Sequence, residues 1–318
     1  MFKVLLADEN HPVLVDVLES KGLECHKKWN ESAEALIAQL PNYDAIILRS
    51  KFRLTKEVLL KAKNLKCIGR VGAGMENIDV AFAEKNGIKC FHVPEGNQDA
   101  VGEHILGMLL MLLNNLKRAD NEVRRGIWRR AENRGIELNR LTVGIIGYGH
   151  MGSTFAKKLS GIGCKIIVYD KYHSGFSNNY AQEVDLDTFK AETDVLSLHV
   201  PLTEETLFMV DATFINSFKK QIYVINSARG KVLKTDDLVQ ALRSGKVKGA
   251  CLDVFEFESV SFESVDKQNL PESFQYLIEA ENVVLSPHIA GWTYDSNYKM
   301  SKGIAEKIAN YLILERNN

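Results

Sequence analysis

The chain has no surplus of charge. Forty lysines and arginines stand against 41 aspartates and glutamates among 318 residues, a net charge of -1. Without a basic excess to hold a phosphodiester backbone, nucleic acid is not a leading partner. Cysteine is sparse and unpatterned. Cys25, Cys67, Cys90, Cys164 and Cys251 are far apart and odd in number. There is no Cys-x-x-Cys and no histidine pair at zinc-ligand spacing, which argues against a disulfide framework and against structural zinc, so no metal is expected. Long apolar runs are also missing. The most apolar stretch, "ILGMLLMLL" (Ile105 to Leu113), is half of what a bilayer crossing needs and reads as a buried helix or a subunit contact. In the opening "MFKVLLADE", Asp8 and Glu9 interrupt the apolar run too early for a signal peptide. No solenoid-period repeat or low-complexity tract occurs. These absences describe a soluble protein of a reducing compartment, expected in the cytoplasm and away from membranes.

What is present is alternation. "KVLLA", "DAIIL", "KCIGRV" and "IKCFHV" read as buried parallel strands. Pro12 to Ser20, Ser32 to Leu40, Thr55 to Lys63 and Glu76 to Lys85 carry helical spacing between them. A second series starts near Leu141: "TVGIIG", "KIIVYD", "DVLSLHV", "IYVINSA", "VKGACLDV" and "NVVLSPH". A long helix-like stretch from about Asp99 to Arg125 separates the two series, and Asp295 to Glu315 is again helical. This β-α repetition implies an α/β fold with doubly wound parallel sheets. If the last helix returns to the first domain, the chain crosses between domains twice. Glu256 to Glu281 is acidic and irregular and has the look of an insertion near a cleft.

The sharpest local signal is Gly147-Tyr148-Gly149-His150-Met151-Gly152, which follows a strand and opens a helix. Gly147 permits the tight turn, Gly149 lets the backbone approach a pyrophosphate, and Gly152 lets helix and strand pack closely. Amides at the helix start, through His150 and Met151, meet the anion. His150 itself reads as a solvated helix-start residue, not a catalyst. About twenty residues on, "KIIVYD" ends in Asp170, where a carboxylate accepts from ribose hydroxyls and repels a 2′-phosphate. NAD is favoured over NADP, with Lys171 beside it as a counter-signal.

Three later residues indicate a reaction. Arg229 ends the strand in "VINSARG", Glu258 lies just past the strand in "GACLDVFEFE", and His288 ends the strand in "VVLSPH". All three fall at or beyond carboxyl ends of strands, the edge where α/β sheets bind ligands. An arginine fork suits a carboxylate and a carbonyl oxygen. A histidine can give or take a proton near neutral pH. A glutamate beside it orients the ring and favours the protonated form needed for carbonyl reduction. Glu256 is a competing choice for that partner. With the cofactor loop, the three describe hydride transfer at a 2-keto or 2-hydroxy acid.

Over essentially its whole length the chain resembles the D-2-hydroxyacid dehydrogenase family, and within it D-3-phosphoglycerate dehydrogenases. The matching stretches, in order, are "RVGAGMENID", "GIIGYGHMG", "DVLSLHVPLTEET", "INSARG", "GACLDVFE" and "SPHIAG". The resemblance implies a flavodoxin-like substrate domain (residues 1–97 plus 289–318) and a Rossmann NAD-binding domain (98–288), in a homodimer. It implies Arg229 as the substrate arginine, Glu258 as the histidine's partner and His288 as the acid–base. Pro201, Ala228 and Asp253 join the cofactor contacts. Ala73 and Gly74 of "VGAG" would offer amides to a substrate carboxylate from across the cleft. Arg49, Ser50 and Lys51, in a cationic loop with Arg53, would stand near a substrate phosphate or else form a plain solvated basic loop, and Trp292 would wall the pocket or simply pack.

The chain departs from the family's pattern in places. Arg140 and Leu141 replace a usual glycine and lysine, Lys234 a common aspartate, and Ser259 the proline after the glutamate. His199 in "SLHVP" reads as structural. The chain stops just after the returning helix, so the regulatory C-terminal domain of long forms is expected to be absent. Besides 3-phosphoglycerate dehydrogenase, a glyoxylate/hydroxypyruvate reductase, a D-lactate-type enzyme or a non-catalytic NAD-sensing corepressor-like protein fits the same residues.

Overall fold

A computed structural model describes residues 1–258 and 270–317. The chain forms two compact units, Met1–Asn97 with Trp292–Asn318, and Gln98–Gly291.

The first unit holds strands β1 (Lys3–Leu6), β2 (Glu24–Lys27), β3 (Ala45–Leu48), β4 (Cys67–Arg70) and β5 (Lys89–Phe91). All pairings are parallel, in the order β2-β1-β3-β4-β5, the flavodoxin-like arrangement. Successive strand residues enter opposite cores. Val4, Leu6, Ala45 and Ile47 face one, and Leu5, Ala7, Ile46 and Leu48 face the other. Burial on both faces explains the unbroken apolar runs. Helix Tyr294–Asn317 closes the first core with Ile304, Ala305, Ile308, Ala309 and Leu312, one stripe at helical spacing.

Some elements differ from the sequence reading. β2 has no apolar run, because among the described residues it is an edge strand paired only to β1, and it is only partly buried. The Thr55–Lys63 helix shrinks to Lys56–Leu59. Beyond it Lys61 and Ala62 make three-residue turns that carry Ala62 and Leu65 inward. The helix expected from Glu76 starts at Val80, where the Asp79 side chain accepts from Phe82 N at 3.0 Å.

The second unit holds β6 (Thr142–Ile146), β7 (Lys165–Tyr169), β8 (Gln182–Glu183), β9 (Val195–Leu198), β10 (Ile222–Asn226), β11 (Val247–Leu252) and β12 (Val283–Leu285). Its order is β12-β11-β10-β9-β6-β7-β8, all parallel, with the direction of winding reversing between β6 and β9. This is the Rossmann order, and ligands bind at that reversal, outside the carboxyl ends of the strands.

The long helix expected from Asp99 breaks into Gln98–Leu113 and Leu116–Arg124. Asn115, at φ 51°, turns the chain there, and asparagine is among the few residues that visit the left-handed region readily. The first piece buries Ile105, Met108, Leu109 and Leu112 beside Val143, Ile145 and Ile225. The acidic stretch expected to be irregular contains a helix, Glu272–Glu279, because Phe274 and Leu277 share a buried face. Phe274 packs edge-on to Phe255 at 5.2 Å between centroids. Ser259 and the rest of 259–269 lie outside the described residues. Among the described residues no helix is long and apolar enough to cross a membrane, and the five cysteines are unpaired.

The packing of the last helix on β4 has a sharp test. A Cβ on Gly69 would lie 2.9 Å from Ile304 Cγ1 and 3.2 Å from Ile308 Cγ1. Gly69→Ala should therefore destabilise the fold by about 1–3 kcal/mol through overpacking. Denaturant unfolding that shows no loss would contradict this packing.

Candidate active site

The phosphate loop joins β6 to helix His150–Leu159. Gly147 has φ 89°, and a Cβ on Gly152 would lie 2.0 Å from Gly147 O, so only glycine lets the helix start this close to the turn. A Cβ on Gly149 would meet nothing within 4 Å, which leaves its backbone open to an approaching anion. His150 is exposed, with Nδ1 3.2 Å from Gln98 Oε1, and Met151 is half-buried behind it.

Asp170, directly after β7, is tied into this loop. Its Oδ2 accepts from Tyr148 N at 2.7 Å, and its Oδ1 from Tyr172 N at 2.9 Å and His173 N at 3.0 Å. Burial pushes its carboxyl up, but these backbone donors outweigh burial and hold it below the ordinary aspartate value. Asp170 therefore shapes the loop besides standing where a ribose acid belongs. Lys171 is paired with Glu205, which also accepts from the Tyr172 hydroxyl. The open loop, the helix start and the strand-end carboxylate fit a dinucleotide.

The other residues singled out in this unit share the same sheet edge. Pro201 follows β9, exposed, with its carbonyl accepting from Thr206 Oγ1 at 2.7 Å. Ala228 and Arg229 follow β10. The Ala228 amide donates to Asn226 Oδ1, and the Arg229 guanidinium donates to Ala228 O at 2.6 Å. A Cβ on Gly230 would meet Phe255 O at 1.9 Å, so this turn lies directly against the one after β11. That second turn resolves the two glutamates. Glu256 accepts from Thr235 N at 3.0 Å, serving the start of helix Thr235–Arg243. Glu258 Oε2 lies 2.8 Å from His288 Nδ1, while its Oε1 accepts from Phe255 N. The Glu258 side chain is only 10% exposed, so the carboxylate is largely shielded from water, while the His288 side chain is 25% exposed.

Asp253 is 2% exposed and acts first within the protein. Its Oδ1 accepts from Ser286 Oγ at 2.6 Å and Ile289 N at 2.9 Å, its Oδ2 from Ala290 N at 2.9 Å, and its carbonyl from His288 N at 2.7 Å. It thus holds the chain on both sides of His288, which sits at φ 56°.

In the first unit, the amides of Arg49, Ser50 and Lys51 converge on Asp8 Oδ2 at 2.5, 3.2 and 3.3 Å. The Arg49 guanidinium lies 4.5 Å over the ring of Trp292, which is 64% exposed. Lys51 Nζ donates to Trp29 O. Ala73 and Gly74 lie in the turn after β4, where Ala73 O takes His92 Nδ1 at 2.6 Å.

Sequence reasoning passed over His104, on helix Gln98–Leu113. Its Nε2 lies 2.9 Å from Ser286 Oγ and 3.6 Å from Asp253 Oδ1. A lone histidine in an apolar helix carries no periodic signal, and only the fold brings it beside residues far along the chain. His199 is a half-buried structural group. Burial beside Phe155 pushes its imidazole down to about 3, and its Nε2 pairs with Ser197 Oγ at 2.8 Å.

Known proteins extend this picture. The chain is 35% identical over 313 residues to D-3-phosphoglycerate dehydrogenase of Archaeoglobus fulgidus, covering 97% of this chain and 57% of that protein. It thus spans a little over half of that relative's length. It is 35% identical to hydroxypyruvate reductase of Thermotoga maritima over 92% of each. Among solved structures, Aquifex aeolicus D-lactate dehydrogenase with NAD and lactic acid matches with TM-score 0.84 and 30% identity, over 99% of this chain and 96% of that one. Residues 106–290 match the NAD binding domain of D-isomer specific 2-hydroxyacid dehydrogenases, and the chain belongs to that family.

Proposed function

We propose that the protein is an NAD-dependent oxidoreductase acting at C2 of D-2-hydroxy and 2-keto acids. The carrying observation is the 2.8 Å Glu258–His288 pair on the sheet edge that also bears the phosphate loop. When bound, NAD supplies or accepts the hydride. His288 gives a proton to the C2 oxygen during reduction, from the ring nitrogen that faces away from Glu258, and takes it back during oxidation. Glu258 holds the ring in that orientation. Arg229 offers its planar fork to the substrate carboxylate and carbonyl oxygen. The amides of Ala73 and Gly74 are assigned to the carboxylate as well.

The substrate we favour is the 3-phosphoglycerate and 3-phosphohydroxypyruvate couple, which would place the protein in serine biosynthesis. The similarity to phosphoglycerate dehydrogenases supports it, as do the cations at Arg49 and Lys51. A second reading, hydroxypyruvate or glyoxylate reduction, is favoured by specific observations. Arg49 is stacked on Trp292 and Lys51 is bonded to the Trp29 carbonyl, so neither cation is idle. A panel of 3-phosphohydroxypyruvate, hydroxypyruvate, glyoxylate and pyruvate decides between them by kcat/KM. Preference for an unphosphorylated acid removes the phosphoglycerate reading. NADH binding without turnover of any acid removes the dehydrogenase reading and leaves a nucleotide-sensing protein.

We also propose a homodimer in the cytoplasm. Leu116, Val123 and Trp128 are apolar yet 52%, 54% and 76% exposed, the kind of surface a second copy covers, and unpaired cysteines suit a reducing compartment. A monomeric mass by sedimentation equilibrium at micromolar concentration would exclude the dimer.

His288→Ala should lower kcat by roughly 10²–10⁴-fold with NADH affinity preserved. Glu258→Gln, which keeps a hydrogen-bonding side chain, should cost less. Near-normal turnover in the alanine variant would take His288 out of the chemistry.

A further inference from the structure

We infer that His104 is a positioning residue for His288, acting through Ser286 and Asp253. The inference rests on the reading of His288 as the proton donor. His288 is one of three non-glycine residues with positive φ among the described residues. Such a backbone persists only where its surroundings hold it. Here the holding group is Asp253, through Ser286 Oγ, Ile289 N and Ala290 N on its carboxylate and His288 N on its carbonyl. The ring is then delivered to Glu258.

His104 joins this group through the Ser286 hydroxyl. Ser286 has one hydroxyl proton. Three acceptors lie within reach of it, Asp253 Oδ1 at 2.6 Å, His104 Nε2 (if that nitrogen carries no proton) at 2.9 Å and the Met108 thioether at 3.5 Å. The carboxylate is closer and far stronger as an acceptor. With that proton directed at Asp253, the contact between His104 Nε2 and Ser286 Oγ at 2.9 Å requires His104 Nε2–H to be the donor. That donation occupies one of the hydroxyl's two lone pairs and favours the rotamer that points its proton at Asp253. His104 is itself fixed by the helix that buries Ile105, Met108 and Leu109. The histidine thus braces the acid–base loop from behind and takes no part in bond making.

Three variants test this. His104→Phe removes the donor, His104→Gln restores an amide donor near Nε2, and Ser286→Ala removes the link. The probes are kcat with the best keto acid of the panel and NADH affinity by fluorescence. His104→Phe and Ser286→Ala should each lower kcat by about tenfold, since small misplacements of a reacting group are costly. NADH affinity should stay within about twofold, and His104→Gln should regain most of the rate. In a His288→Ala background, His104→Phe should cost nothing further, because the two act as one unit. Wild-type kcat in both His104→Phe and Ser286→Ala overturns the inference. So does an equal loss in the His288→Ala background, which is what general destabilisation would produce. If His104→Phe fails to bind NADH, Ser286→Ala carries the test alone. Full activity of His288→Ala would instead topple the acid–base reading, a result distinguishable from any failure at His104.

Discussion

A carboxylate sealed from water must be surrounded by donors, or the fold must give up its charge. Asp253 meets that demand by drawing in the Ser286 hydroxyl and the amides of Ile289 and Ala290, while its own carbonyl takes the His288 amide. The electrostatic requirement of one buried group therefore determines the path of the loop after β12. That path places an imidazole in an uncommon backbone conformation, with Nδ1 on Glu258. Were the carboxylate solvated, water would satisfy it and the loop would lose its reason to be so placed.

The remaining geometry follows from parallel pairing. Every strand of the second sheet points the same way, so the turns after β6, β7, β9, β10, β11 and β12 emerge on one edge. Neighbouring turns then need close approach. Gly230 provides it between the arginine turn and the glutamate turn, and Gly152 provides it within the phosphate loop. Asp170 adds a second charge-driven constraint, since amides from both the phosphate loop and its own turn converge on it. In both cases one aspartate organises backbone for several residues around it.

Much of this was legible from residue order. Unbroken apolar runs marked the central strands because both faces of a parallel sheet are buried, as the alternation of Val224 and Ile225 between two cores illustrates. The strand-end positions of Arg229, Glu258 and His288 stood out for the same reason. Edge strand β2 was silent because an edge needs no apolar run. The break at Asn115 was silent because the apolar periodicity of the helix runs up to it without warning. Glu256 and Glu258 were chemically indistinguishable until one was seen at a helix start and the other at His288.

The amino-acid sequence by itself determined the fold class, the glycine loop and which side chains are candidates for acid–base and anion chemistry, because strand periodicity, glycine spacing and residue type are local properties. Tertiary structure alone decided partnerships. It set Glu258 on His288, gave Lys51 to a carbonyl and Arg49 to a tryptophan face, turned Asp253 inward, and brought His104 to a serine 182 positions away. The physical reason is that burial and hydrogen-bond satisfaction depend on what the folded chain brings close, and no spacing rule along the chain encodes those distances.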